Sequence, residues 1–139
     1  MRDQILHSYE LLNARDAAAF EALVRQTFAP DVEVVQPEGT SDVDTALAGW
    51  LALLDAFEDL DFHLVTITEG DGRVVVEHLF QGTHTGTLHT AAGDVPATGR
   101  QVRIPLATVI EHEDERVRHW RSYYDQLALL SQLGVLPAP

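Results

Sequence analysis

The hydrophobic period of this chain changes once, near Leu60, and that change dictates the kind of fold it can adopt. Upstream, apolar residues recur every three or four positions; downstream they alternate. A helical stripe and an alternating strand bury different sets of side chains, so neither pattern can serve in place of the other. Ile5, Tyr9 and Leu12 mark a first helix, interrupted from Asn13 to Asp16. Asp16 can cap a second helix whose apolar face is Phe20, Leu23, Val24 and Phe28, with Pro30 as its end. Val32 to Val35 read as a short strand. Ser41 followed by Asp44 resembles a capping box and opens a third helix. Its stripe of Val43, Leu47, Trp50, Leu51, Leu54 and Phe57 is wide enough to lie on a sheet.

Beyond Leu60 the strands are read as Leu60 to Thr68, Arg73 to Thr85, Gln101 to His112 and Arg116 to Asp125. Gly70-Asp71-Gly72 turns the first pair, and the acidic Glu113-Asp114-Glu115 turns the last. Gly86 to Arg100, with Gly93, Pro96 and Gly99, reads as a long loop or lip. Gln126 to Leu133 is a short closing helix, stopped by Gly134 and Pro137. Helices followed by hairpin-linked strands predict an α+β fold, not a parallel βαβ one. The expectation is a strongly bent, mainly antiparallel sheet packed against three N-terminal helices, with a short C-terminal helix. The 139 residues suit one domain spanning 1–139.

Two absent residue types narrow the chemistry. Without cysteine there are no disulfides, thiolate metal sites or cysteine nucleophiles. All nine basic residues are arginines, which removes Schiff-base lysines and a P-loop lysine. A formal net charge of −13 repels polyanions, so no nucleic-acid partner is expected. No apolar run approaches the roughly 18 residues that a membrane span needs. Met1-Arg2-Asp3-Gln4 leads straight into an amphipathic pattern, and the expected location is cytoplasmic.

Four segments in this order resemble the SnoaL-like polyketide cyclases of the nuclear transport factor 2 superfamily. They are Phe28-Ala29-Pro30-Asp31; Gly82-Thr83-His84-Thr85-Gly86; Pro96-Ala97-Thr98-Gly99-Arg100; and Tyr123-Tyr124-Asp125 with Gln132-Leu133-Gly134. The resemblance covers nearly the whole chain and implies a cone of bent sheet and helices around an apolar pocket. It is also similar to limonene epoxide hydrolases, whose corresponding strand resembles Trp-Arg-Asp-Tyr-Phe-Asp. Here that strand runs Trp120-Arg121-Ser122-Tyr123-Tyr124-Asp125. With serine at the first aspartate position, an Asp-Arg-Asp water-activating set cannot be completed in the same way.

The resemblance implies a general acid/base aspartate near the chain's end, and Asp125 is the matching position. A carboxylate among apolar walls could take a proton from an activated carbon and return one to a forming hydroxyl. The competing reading is that Asp125 caps the last helix through Leu127 or Ala128. His84, between glycines, could polarise a carbonyl or relay a proton, or simply stabilise a strand bend. His78 shares a face with Val74, Val76, Phe80 and His84. Six residues separate the two histidines, roughly 20 Å along an unbent strand, so they cannot share a metal ion.

Tyr9, Trp50, Phe80, Trp120 and Tyr124, with His78, are the expected lining of a pocket for a hydrophobic small molecule. Alternation puts Trp120, Ser122 and Tyr124 on one face of the last strand and His119, Arg121, Tyr123 and Asp125 on the other. Which face turns inward is open at this level. His112 and His119 are expected to face solvent or each other across their hairpin. No metal and no cofactor are expected. The functional expectation is a cofactor-independent cyclase-like or isomerase-like enzyme working on a hydrophobic carbonyl compound. The alternative is a non-catalytic small-molecule binding or dimerisation domain of the same fold. A homodimer is expected, because the second apolar face of the sheet (Val75, Leu79, Val109) needs cover.

Overall fold

A computed structural model describes residues 1–90 and 93–136. Pro137 lies outside the described residues, so its expected part in stopping the last helix is not tested. Among the described residues, four helices accompany a strongly curled six-stranded sheet. The chain opens with α1 (Arg2–Asn13) and α2 (Ala17–Thr27), followed by the paired strands β1 (Phe28–Gln36) and β2 (Gly39–Ser41). Helix α3 (Val43–Ala56) leads into β3 (Asp61–Gly70) and β4 (Arg73–Thr83). After the short strands β5 (Leu88–Thr90) and β6 (Gly93–Val95) come β7 (Gln101–Glu113), β8 (Arg116–Tyr124) and α4 (Gln126–Leu133).

Helix starts follow local chemistry. Asp16 accepts the N–H of Ala19 at 3.1 Å and caps α2 as expected. The cap of α3 is Asp42, which accepts the N–H of Thr45 at 2.8 Å; Ser41, the expected cap, closes β2 instead. Helix α2 ends at Thr27, three residues before Pro30, and Phe28 starts a strand rather than extending the helical face. Proline disfavours helical backbone in the residue before it, so Ala29 is already extended. Pro30 itself falls where the β1 register shifts, between Phe28 and Glu33, and there its missing donor is tolerated.

The sheet order is β2-β1-β8-β7-β4-β3. Every pairing is antiparallel except β1 with β8. Both expected hairpins close on two residues with left-handed backbone: Asp71 (φ 52°) and Gly72 (φ 73°), then Asp114 (φ 53°) and Glu115 (φ 59°). Such turns match the natural strand twist. The lip contains the β5–β6 hairpin, a feature that its glycines and proline did not announce.

One face of the sheet is buried under the helices. Val74, Val76, His78 and Phe80 of β4 and Val102, Ile104, Thr108 and Ile110 of β7 all point inward, as period-two alternation requires. Side-chain amides lash the helices to this sheet. Asn13 pairs with both the N–H and the carbonyl of Phe62 at 2.8 and 3.1 Å. Gln132 does the same for Arg103 at 2.6 and 3.1 Å.

The tightest junction is at the end of α3. The carbonyl of Ala56 accepts the N–H groups of Thr85 and Gly86 at 2.9 and 3.0 Å. Arg15 donates to the carbonyls of Phe57 and Glu58 at 3.0 Å each, and also to that of Leu54. A side chain at Gly86 would run into the carbonyl of Asp55. Gly86→Ala should therefore cost about 2–3 kcal/mol in urea unfolding; an unchanged midpoint would show that this joint is loose.

Candidate functional site

Alternation along β8 resolves in favour of Trp120, Ser122 and Tyr124 as the inward face, with Tyr123 on the outer side and 56% exposed. The interior behind this strand is not one open chamber. Trp50 and Trp120 pack with ring centroids 5.3 Å apart, Phe28 lies 5.4 Å from Trp120, and Tyr9 lies 6.3 Å from it. These rings fill the middle of the fold and leave cavities on either side. Trp120, expected as pocket lining, belongs to this partition and is not among the residues lining the three cavities around it.

The larger space is a cleft of about 300 Å³ between α3, α4, the β1–β2 turn and the β5–β6 hairpin. Trp50, Leu53, Leu88, Leu129 and Leu130 give it apolar walls. A smaller chamber of about 90 Å³, floored by Phe80, Ile104 and Leu106, shares Leu53, Tyr124 and Leu129 with it. Trp50 and Tyr124 line the cleft, and Phe80 and Tyr124 the chamber. His89 of the lip stands on the rim, with Nδ1 2.7 Å from Asp94.

A polar chain crosses this cleft. The Tyr124 hydroxyl donates to Glu38 at 3.0 Å. With its amide oriented to satisfy its neighbours, Gln36 donates to the other Glu38 oxygen at 3.2 Å and accepts from the Trp50 indole N–H at 3.3 Å. Burial, reinforced by the nearby Glu38 charge, raises the pKa of Tyr124 above its ordinary value, so the phenol stays a neutral donor. Glu38 and Gln36 were absent from the expectations drawn from sequence. They flank a turn containing Pro37, and nothing in period or motif links that turn to a strand that follows it by more than eighty residues.

Tyr9 and His78 lie apart from this cleft. They line a separate cavity of about 160 Å³, together with Leu6, Glu10, Asn13, Phe62, Leu64 and Val76. Tyr9 is partly buried beside Thr108, and desolvation drives its pKa upward. Thr108 in turn meets Ser122 at 3.1 Å, and Ser122 accepts the Trp120 indole N–H at 3.2 Å. The serine that replaces an epoxide-hydrolase aspartate is therefore part of a satisfied internal network.

The two residues expected to carry chemistry sit elsewhere. His84 is fully buried, stacked 5.5 Å from Phe57, and its Nδ1 accepts the N–H of Thr98 at 3.2 Å and lies 2.9 Å from the Thr98 hydroxyl. Its backbone pairs with Arg100 and Gly99 at 2.8 Å. It clasps the Pro96–Arg100 segment to the sheet. Asp125 is solvent-exposed, and its Oδ1 accepts the N–H of Ala128 at 3.0 Å as the N-cap of α4, the capping contact that was one of its two expected readings. The strand ends one residue earlier, at Tyr124, so Asp125 follows the outer face. His112 and His119 do not meet across their hairpin, because a register shift pairs His119 with Glu111 and His112 with Val117. Among the described residues, no three His, Asp or Glu gather to hold an ion.

The model of the SnoaL-like polyketide cyclases matches residues 4–133. The chain belongs to that family. No curated protein matches it in sequence. A proposed SnoaL-like polyketide cyclase from a Jannaschia species superimposes with TM-score 0.78 at 21% identity, over 97% of this chain and 94% of that one. IdmH of Streptomyces antibioticus, a proposed polyketide cyclase, gives 0.75 at 24% identity over 96% and 98%. TerC, co-crystallised with polyporic acid, gives 0.69 at 19% identity over 95% of this chain and 96% of that one. At these identities the likeness shows the shared fold. No helix among the described residues of this SnoaL-like chain is long and apolar enough to cross a membrane.

Burial also gives the SnoaL-like core a pH dependence. His78 is only 3% exposed, and desolvation lowers its pKa to about 4. The unfolded chain takes up this proton near pH 6.5 and the folded one only near 4, so stability falls as pH drops through that window. The two and a half units correspond to about 3 kcal/mol. His78→Leu should flatten the decline between pH 6.5 and 4 in denaturant titrations; an unchanged slope would show that His78 protonates freely in the fold.

Proposed function

We propose that this chain is a cofactor-independent enzyme that moves protons on a hydrophobic carbonyl compound bound in the cleft beside α3 and α4. The observation that carries this reading is the Tyr124 hydroxyl held 3.0 Å from the Glu38 carboxylate at the mouth of an apolar cleft. A carboxylate base next to a neutral phenol donor is the pair that enolate chemistry requires. The Glu38 carboxylate takes a proton from the carbon beside the substrate carbonyl, and Tyr124 turns its O–H to the oxygen that gains charge. The enolate carbon then attacks a second carbonyl of the same molecule, and the resulting alkoxide recovers the proton from Glu38. Reprotonation at a different carbon makes the same pair an isomerase. Leu53, Leu129 and Phe80 hold the apolar body of the substrate by burial alone.

Family membership supports a polyketide-like substrate, as does the polyporic acid bound to TerC. Asp125 was the acid/base expected by resemblance; its carboxylate caps α4 through the N–H of Ala128 and, unlike Glu38, does not line the cleft. Three variants separate these assignments, once thermal-shift screening of aromatic polyketides has supplied a substrate. Glu38→Gln should lower turnover about 100-fold or more. Tyr124→Phe should lower it about 10- to 100-fold. Asp125→Asn keeps a good cap and should leave both fold and turnover intact. A large loss in Asp125→Asn alone would return the role to Asp125. Ligands that bind without turnover between pH 5 and 9 would favour a binding domain.

We also propose that a second copy covers the outer sheet face. Val75, Leu79 and Val109 are half-buried there and Tyr123 is exposed, beside Arg73 and Arg121 paired to Glu111 at 2.9 and 3.1 Å. A surface carrying both signs of charge around an apolar centre can meet its own copy across a two-fold axis. Sedimentation should give twice the monomer mass, and Tyr123→Glu should return it to the monomer value.

A further inference from the structure

We propose that the chamber beside the cleft receives a short saturated alkyl chain, so that the substrate is a one- or two-ring ketone carrying a hydrocarbon arm of about three or four carbons. This assignment rests on the cleft being the substrate site and specifies what fits there.

Size separates the two spaces. The cleft, at about 300 Å³, has roughly twice the volume of a cavity that holds benzene, whereas the chamber, at about 90 Å³, has little more than half of it. A six-membered ring therefore suits the first and is too large for the second. With about 150 Å³ serving six ring carbons, the chamber serves about three or four.

Chemistry separates them as well. The cleft mixes its apolar walls with Gln36, Glu38, His89, Thr90 and Gln126. The chamber is walled by Leu53, Phe80, Ile104, Leu106 and Leu129, and by Tyr124, whose hydroxyl is committed to Glu38. No other side chain lining it can donate or accept a hydrogen bond. A carbonyl or hydroxyl carried into the chamber would lose its water and gain no side-chain partner, a cost that outweighs the burial of its carbon. Hydrocarbon bears no such penalty. The occupant is a reduced chain and not a run of further ketones.

Position links the chain to the reacting groups. Leu53, Tyr124 and Leu129 wall both spaces, so the chamber adjoins the cleft along these residues. Leu53 and Leu129 are half-buried, and the alkyl arm passes between them. Tyr124 fixes the other end, because a ketone bonded to its hydroxyl lies within one side chain's length of the chamber. Phe80 and Ile104, both buried in the sheet, close the chamber and limit how far the arm can reach.

The test is a titration of the full chain with 4-hydroxyphenyl alkyl ketones whose alkyl arm grows from one carbon to eight, followed by quenching of tryptophan fluorescence. Affinity should rise about threefold to fourfold with each methylene, up to about three or four carbons, and then level off. Leu106→Phe, which fills the chamber, should bring that break down to about one or two carbons; Leu106→Ala, which enlarges it, should move the break up by about two. Where one variant does not fold, the break in the other decides. The assignment is overturned if wild type gains affinity steadily to eight carbons, if a one-carbon arm binds as well as a four-carbon one, or if a folded Leu106 variant keeps the wild-type break. Failure of every member to bind removes the cleft as the substrate site and this assignment with it. Unchanged turnover in Glu38→Gln removes only the acid/base roles and leaves the chain-length break standing.

Discussion

Everything that positions the cleft depends on the joint where α3 meets β4. A helix end leaves carbonyls without partners, and here those of Leu54 and Ala56, with Phe57 and Glu58 just beyond, find specific donors. Arg15 reaches across from the turn after α1 to the carbonyls of Phe57 and Glu58, while Thr85 and Gly86 take that of Ala56. A guanidinium also carries the charge that a helix C-terminus favours. Because three separate segments meet at this point, α3 is held at one angle across the sheet. Trp50 and Leu53, two and one turns back along the helix, therefore face Tyr124 and Leu129 at a set distance.

The interior then follows from how the aromatic rings share the remaining space. Large rings on α1, α3, β1 and β8 meet at the centre and close it, leaving one space toward α4 and another toward β3. Each space holds a different kind of polar group. On the α4 side, the phenol, carboxylate, amide and indole satisfy one another, and solvent reaches the carboxylate. On the β3 side, a lone imidazole stays uncharged because ionising it there would mean stripping water from a cation. Burial acts on Tyr124 and His78 in the same physical sense, and in both it preserves the neutral form.

What sequence made legible was whatever depends on near neighbours. The change of period placed the helices before the sheet, left-handed turn residues located both hairpins, and the inward run from Val74 to Phe80 read directly from alternation. Gln126 to Leu133 and its glycine stop came through intact, with Gly134 at φ 73°. Long-range relations did not come through. That β1 lies beside β8, and so carries Glu38 to Tyr124, is a matter of topology that no local pattern encodes. For Asp125 the sequence left acid/base and helix cap both open, because one residue at a strand end decides which face it joins, and the chain turns into its helix at that residue. His84 shows the same limit: a histidine between glycines reads alike as a ligand or as a clasp until Thr98 is seen against its ring.

The parallel pairing of β1 with β8 has a consequence for how the molecule comes into being. Strand β8 is inserted between β7 and the much earlier β1, so the sheet stays split until β8 has been made. Contacts so distant in sequence are slow to close. Until they do, the unpaired edges of β1 and β7 stand open to other chains, and in the growing cell this brief interval is when the chain most needs a chaperone's shelter.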